Sequence, residues 1–200
     1  MCPEGALIMR DKFMKNKLWL IFTIILVLFI STCVKARQDI YITSADYINN
    51  KPSYENISRI HIHDFFWNRP AMTFRSGGKK YRLMKSELYG YCNNKDEVYR
   101  FYHNTEYRIA GHGGIYIYVK EKNIAMSKGY KVVNTYYFST SADKPVIPMT
   151  VSNLKIAYSG NTGFCRELDS LAATADIYAF NNAHHTFEIN YLYSLAANKN

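Results

Sequence analysis

The chain has 200 residues, a formal net charge of +9 and 18 tyrosines. That length suits one domain with a short appendage and leaves no room for several large ones. The basic residues are interspersed. Their densest group, Lys79, Lys80, Arg82 and Lys85, reads as a solvated sheet face, whereas a nucleic-acid-binding protein concentrates its charge on one surface, so no nucleic-acid partner is expected.

The first structured feature is the apolar run Leu18–Ile30, in which Thr23 is the one polar residue. Lys12, Lys15 and Lys17 precede it, and Ser31, Thr32 and Cys33 follow. As a helix it spans roughly 20 Å, short of a bilayer core of about 30 Å. A basic start, a short apolar run and a small-residue exit are the marks of a signal peptide. Val34-Lys35-Ala36 offers a cleavage site that leaves Arg37 as the new N-terminus. Two alternatives stay open. Ile30-Ser31-Thr32-Cys33 resembles a lipobox that lipidates Cys33, although Thr32 departs from the usual Gly, Ala or Ser. An uncleaved anchor with its basic end inside is the other. Residues 1–13 read as an upstream extension, since Met9 and Met14 both suit an initiator. The expected organisation is therefore a signal or anchor over 14–36 and a single exported domain over 37–200.

Within 37–200 short strands come first. Asp39–Thr43 alternates, and Asn49–Ser53 reads as a loop. Ile60-His61-Ile62-His63-Asp64 alternates again, with the isoleucines on one face and His61 and His63 on the other. Three turn signals follow, each between two strands: Ser76-Gly77-Gly78-Lys79, Asn93-Asn94-Lys95-Asp96 and Gly111-His112-Gly113-Gly114. Lys131–Thr140 adds a strand rich in Val and Tyr. All 18 tyrosines lie in this exported part, and tyrosine favours half-buried strands. After Pro145 and Pro148 the period changes. Thr150–Tyr158, Phe164–Ala173 and Asp176–Ala197 read as helices, the last with His184 near its apolar stripe as a hydrogen-bonded core residue. The expected fold is α+β, an antiparallel meander of about seven or eight strands followed by two or three helices over about 150–198.

Candidate chemistry is sparse. His61 and His63, on one strand face, have the spacing to share a metal such as zinc, with His103, His112, His184 or His185 as the further ligand. The plainer reading is a pair of exposed strand histidines. In an oxidising compartment Cys92 and Cys165 are candidates for a disulfide, with two separate buried thiols as the alternative. The Gly111–Gly114 loop has neither the lysine nor the following helix of a phosphate loop, so it reads as a hairpin turn. Phe65, Phe66 and Trp67 form a local aromatic cluster, either a core plug or a stacking platform. No spacing marks a nucleophile or a catalytic carboxylate pair, and no cofactor is expected.

The succession Ile-His-Ile-His-Asp-Phe-Phe at 60–66, Gly-Lys-Lys-Tyr-Arg at 78–82, Leu-Tyr-Gly-Tyr at 88–91, Tyr-Arg-Phe-Tyr at 99–102, Gly-Ile-Tyr-Ile-Tyr at 114–118 and Tyr-Tyr-Phe-Ser at 136–139 resembles a family of exported bacterial envelope proteins of unknown function. The resemblance implies a periplasmic or envelope location and no catalytic residues. The expectation is a non-enzymatic binding or structural domain that takes a protein or small ligand on its tyrosine-rich sheet. A metal-dependent enzyme using His61 and His63, and a subunit tethered to the membrane through its N-terminal segment, are the alternatives.

Overall fold

The computed structural model describes residues 38–55, 57–61, 70–174 and 176–197. The chain divides into two units, Met1–Ala36 and Arg37–Asn200. The N-terminal stretch read as a signal or anchor, with Cys33, the residue His63 and the aromatic cluster at 65–67 all lie outside the described residues. Among the described residues no helix is long and apolar enough to cross a membrane.

The fold is α+β. One antiparallel sheet has seven strands, in the spatial order β1 (Asp39–Tyr41), β5 (Gly90–Cys92), β6 (Val98–Tyr102), β7 (Thr105–Gly111), β8 (Tyr116–Ala125), β9 (Tyr130–Ser139) and β10 (Ile147–Pro148). From β5 onward each strand pairs with its successor, the expected meander, because short turns join neighbours at low entropic cost. Strands β2 (Arg59–His61), β3 (Ala71–Ser76) and β4 (Lys79–Met84) form a separate three-stranded sheet. The tight turn between β6 and β7 is His103-Asn104, both with positive φ (48° and 59°). Such a turn suits the twist of a hairpin, and Asn tolerates it best after Gly. Gly90 is obligatory for a different reason. A Cβ there would stand 1.9 Å from the Tyr99 carbonyl oxygen, so only glycine lets β5 pair with β6.

The register fixes which side chains share a face. Ile40, Tyr91, Tyr99, Arg108, Val119 and Tyr136 stand opposite one another from β1 to β9. On this face, three helices cover the β8–β10 end: α2 (Val151–Ala157), α3 (Thr162–Thr174) and α4 (Glu188–Ala197). Their core contains Ile115, Ile117, Phe138, Met149, Leu154, Phe164, Leu168 and Ile189. At roughly 1.5–3 kcal/mol for each such side chain removed from water, this cluster is the main source of stability. The small sheet covers the other end of the same face, packing Met72 and Phe74 on Ile40, Tyr91 and Phe101. The opposite face carries Tyr41, Tyr89, Cys92 and Ala142, with Val98, Ile109 and Tyr116 against them. It is covered by the short helix α1 (Ser44–Ile48), whose Tyr47 stacks on Tyr89 at 5.2 Å, and by the loop after β9.

Helices α2 and α3 occupy the expected stretches. Thr150 caps α2 by accepting from the Asn153 N–H at 3.2 Å, and Asn161 Oδ1 accepts from the Phe164 N–H at the start of α3. The expected long helix over 176–197 is a correction. Residues 180–187 form a hairpin, β11 (Phe180–Asn181) with β12 (Thr186–Phe187), and only Glu188–Ala197 is helical. The competing signals are local. The Asp176 carboxylate accepts from the Tyr178 N–H and Asn181 Oδ1 from the His184 N–H, side-chain turns that compete with helix. His185 takes a positive φ of 49°, which closes the turn. His184 accordingly lies exposed, stacked on the Tyr191 ring at 3.8 Å, and not in the core.

Candidate functional site

The helices and the small sheet each cover one end of the same sheet face and leave its middle open. A cleft of about 360 Å³ lies there, lined by Tyr99 of β6, Thr105, Glu106 and Arg108 of β7, and Val119, Lys120 and Glu121 of β8. The volume falls within the range of small-ligand pockets. Strand alternation accounts for its make-up. Glu106 and Arg108 are two apart on β7, and Val119 and Glu121 two apart on β8, so each pair faces the cleft. On either side of the cleft the same face carries the apolar clusters under the helices and under the small sheet.

The cleft wall on the β5–β6 side is a fixed polar network. Tyr91 and Tyr99 stack with centroids 5.0 Å apart and planes 7° off parallel. The Tyr91 hydroxyl donates to Glu106 Oε1, and the Tyr99 hydroxyl donates to Glu97 Oε2 at 3.1 Å. Asn93 Nδ2 also donates to Glu97 at 2.9 Å. That hydrogen bond, helped by the one from Tyr99 and by the charge of Arg108, holds the Glu97 carboxyl below its ordinary value. Burial, reinforced by the neighbouring carboxylates, pushes the Tyr99 phenol up to about 12 and the Tyr91 phenol up further. Both therefore stay protonated donors through the physiological range.

Lys85 lies behind this wall. The sequence places it in a solvated basic patch, yet it is 1% exposed, with Nζ 5.6 Å from the Phe101 ring centre. Burial pushes its pKa down, and the Glu106 charge opposes that shift. The patch thus divides. Lys79, Lys80 and Arg82 are exposed as expected, and Lys85 is drawn inward because the short 3-10 turn at 85–87 points it under β6.

The opposite face holds a second polar group that no motif announces. Arg100, 4% exposed, lies in a box of tyrosine rings, its guanidinium carbon 5.3 Å from the Tyr89 centre and 5.6 Å from those of Tyr102 and Tyr118. Nη1 donates to the Tyr118 hydroxyl at 2.8 Å and Nη2 to the Lys144 carbonyl at 2.8 Å. Ser139 Oγ completes the chain, 2.9 Å from the Tyr118 hydroxyl, and donates to the Ser141 carbonyl at 2.7 Å. These bonds pin the 140–144 loop to the sheet. Arg100 is a structural cation, locked by packing on every side.

The residues singled out from sequence are scattered. His61 is exposed at the end of β2, opposite Thr73. His112 and His185 do share a hollow of about 430 Å³ with Asp96 and Glu97. Among the described residues, however, no three His, Cys, Asp or Glu side chains are grouped so as to hold a metal ion. Cys92 belongs to the cluster on the α1 face. Cys165 is on α3, its thiol donating to the Tyr158 carbonyl at 3.5 Å. The sheet stands between the two thiols. The Gly111–Gly114 segment is the link from β7 to β8, and there Asn190 of α4 binds Ile115 through both its backbone groups at 3.1 Å. Glu106, Arg108 and Glu121 escaped sequence reasoning. Their one available signal was charge at alternate positions in strands that otherwise read as Tyr, Ile and Val.

Comparisons with protein-family models, with curated proteins and with solved structures gave no match.

Proposed function

We propose that this chain is an exported cell-envelope domain that binds a small zwitterionic ligand, of amino-acid or short-peptide size, in the cleft over β6, β7 and β8. One observation carries the reading. Arg108, Glu121 and Tyr99 line one open cleft between the helix-covered end of the sheet face and the cluster under the small sheet, against which Tyr99 packs. Arg108 takes the ligand carboxylate, for which its planar fork is suited. Glu121 takes the ammonium group, and the Tyr99 ring flanks the ligand's apolar part. Glu106 accepts from the Tyr91 hydroxyl and shapes the wall of the cleft. Export is supported by the Leu18–Ile30 run and its basic flank.

Calorimetric titration of the purified protein with a panel of amino acids and dipeptides tests the reading. Binding by at least one member is expected, weakened roughly tenfold to a hundredfold in Arg108→Ala, as loss of a charged hydrogen bond implies. Failure of every member to bind, or binding that Arg108→Ala leaves unchanged, refutes it.

A further inference from the structure

Strands β8 and β9 outrun the rest of the sheet. The β7–β8 ladder ends at Arg108 opposite Val119, while the β8–β9 ladder continues from Lys120–Thr135 to Ala125–Tyr130. Lys120 and Glu121 still border β7 across the cleft; beyond them, from Lys122 opposite Val133 to Ala125 opposite Tyr130, the pair is a two-stranded ribbon projecting roughly 10 Å. Its tip exposes four large apolar side chains: Ile124 at 48%, Met126 at 56%, Tyr130 at 78% and Val132 at 57%. An isolated ribbon cannot bury these itself.

The arrangement of these side chains selects what covers them. Ile124 shares a ribbon face with Lys122 and Lys131, Tyr130 and Val132 project from the opposite face, and Met126 sits in the turn. A flat protein surface would cover one face and leave the other wet. A bilayer interface surrounds the tip and covers both. The charges agree, since residues 120–132 carry Lys120, Lys122, Lys128 and Lys131 against Glu121 alone. Lysines flanking an apolar tip can keep their ammonium groups at lipid phosphates while their stems lie along the acyl boundary, and a tyrosine ring suits the same depth. Among the described residues the outer edges of the ribbon have no strand partner, so it stays at headgroup depth and does not enter the hydrocarbon core.

We propose that the β8–β9 ribbon docks by its tip onto an anionic phospholipid bilayer. This is independent of the ligand proposed for the cleft. It brings the domain to the membrane surface through a second contact, apart from the N-terminal apolar run.

The test is made on the full chain reconstituted in phosphatidylcholine vesicles, with and without phosphatidylglycerol. Met126→Trp serves as a local reporter, read against the parent protein to remove the signal of Trp19 and Trp67. A blue-shifted emission, quenched by lipids brominated near the headgroup, is expected only in the anionic vesicles and is reversed by high salt. Replacing Lys122, Lys128 and Lys131 with Gln lowers the docked-to-undocked ratio about a hundredfold, at about fivefold for each charge. Ile124→Ser with Val132→Ser lowers it as well, with the circular dichroism of the fold unchanged. The proposal is overturned if the reporter shows no shift in anionic vesicles, or shifts equally in neutral ones. A shift that depends on protein concentration without lipid also overturns it, because the occupant is then a second copy of the chain.

Discussion

Asn190 is the most exacting test of how the helices are held to the sheet. It is 3% exposed and works as a surrogate strand partner. Its Nδ2 donates to the Ile115 carbonyl, and its Oδ1 accepts from the Ile115 N–H, each at 3.1 Å. Ile115 is fully buried, so no water replaces the amide when it is removed. Asn190→Ala leaves two buried backbone groups without partners, each at about 1–3 kcal/mol, and the expected loss of stability is about 3–4 kcal/mol. For a domain of this size, that lowers the melting temperature by about 10 °C. Urea unfolding followed by circular dichroism measures the loss. Asn190→Asp discriminates further. At neutral pH its carboxylate still accepts from the Ile115 N–H but sets an oxygen against the Ile115 carbonyl. The folded protein therefore favours the protonated acid, raising that pKa, and the variant gains stability as the pH falls. A loss below about 1 kcal/mol in Asn190→Ala, or an Asn190→Asp variant without this acid recovery, refutes the reasoning.

Two further outcomes are expected. Arg100→Ala is destabilised by about 2–5 kcal/mol, because it leaves the Lys144 carbonyl without its donor and empties the space among the Tyr89, Tyr102 and Tyr118 rings. Arg100→Lys recovers little of this in the same urea assay, since one ammonium cannot reach both the Tyr118 hydroxyl and the Lys144 carbonyl; a loss under about 1 kcal/mol in Arg100→Ala counts against the structural role. At high pH, the half-buried Tyr47 and Tyr99 phenols are both held up to about 12, mainly by burial, against an ordinary value of 10.0. Their contribution to stability is complete below the ordinary value and is lost as the pH rises through about 12. Absorbance titration at the tyrosinate band should show a late phase that shrinks in Tyr47→Phe; a titration with no late phase contradicts the burial.

Much of the fold was legible because it is built from local signals. Alternation of Ile115, Ile117 and Val119 with Tyr116 and Tyr118 marks β8 and its two faces. Gly77-Gly78 marks the β3–β4 turn, and Thr150 marks the start of α2. The stretch 176–187 was misread because Ile177, Phe180, His184 and Phe187 also fit a helical period. Periodicity cannot weigh the Asp176 and Asn181 side-chain turns against that pattern. The division of ten strands between two sheets was not legible either. Nothing local to β2–β4 says that this hairpin folds over the face of the large sheet and does not extend its edge.

The sequence by itself determined the strand-then-helix order, the antiparallel meander and the amphipathic character of its tyrosine-rich strands, because each depends on residues within a few positions of one another. Only the tertiary structure decided that Glu106, Arg108, Glu121 and Tyr99 share an open cleft, that Lys85 and Arg100 are buried, and that the β8–β9 ribbon stands clear of the sheet. Those outcomes depend on which covers land on which part of a face. Such long-range choices are settled by apolar packing between segments far apart in the chain, which leaves no local spacing to read.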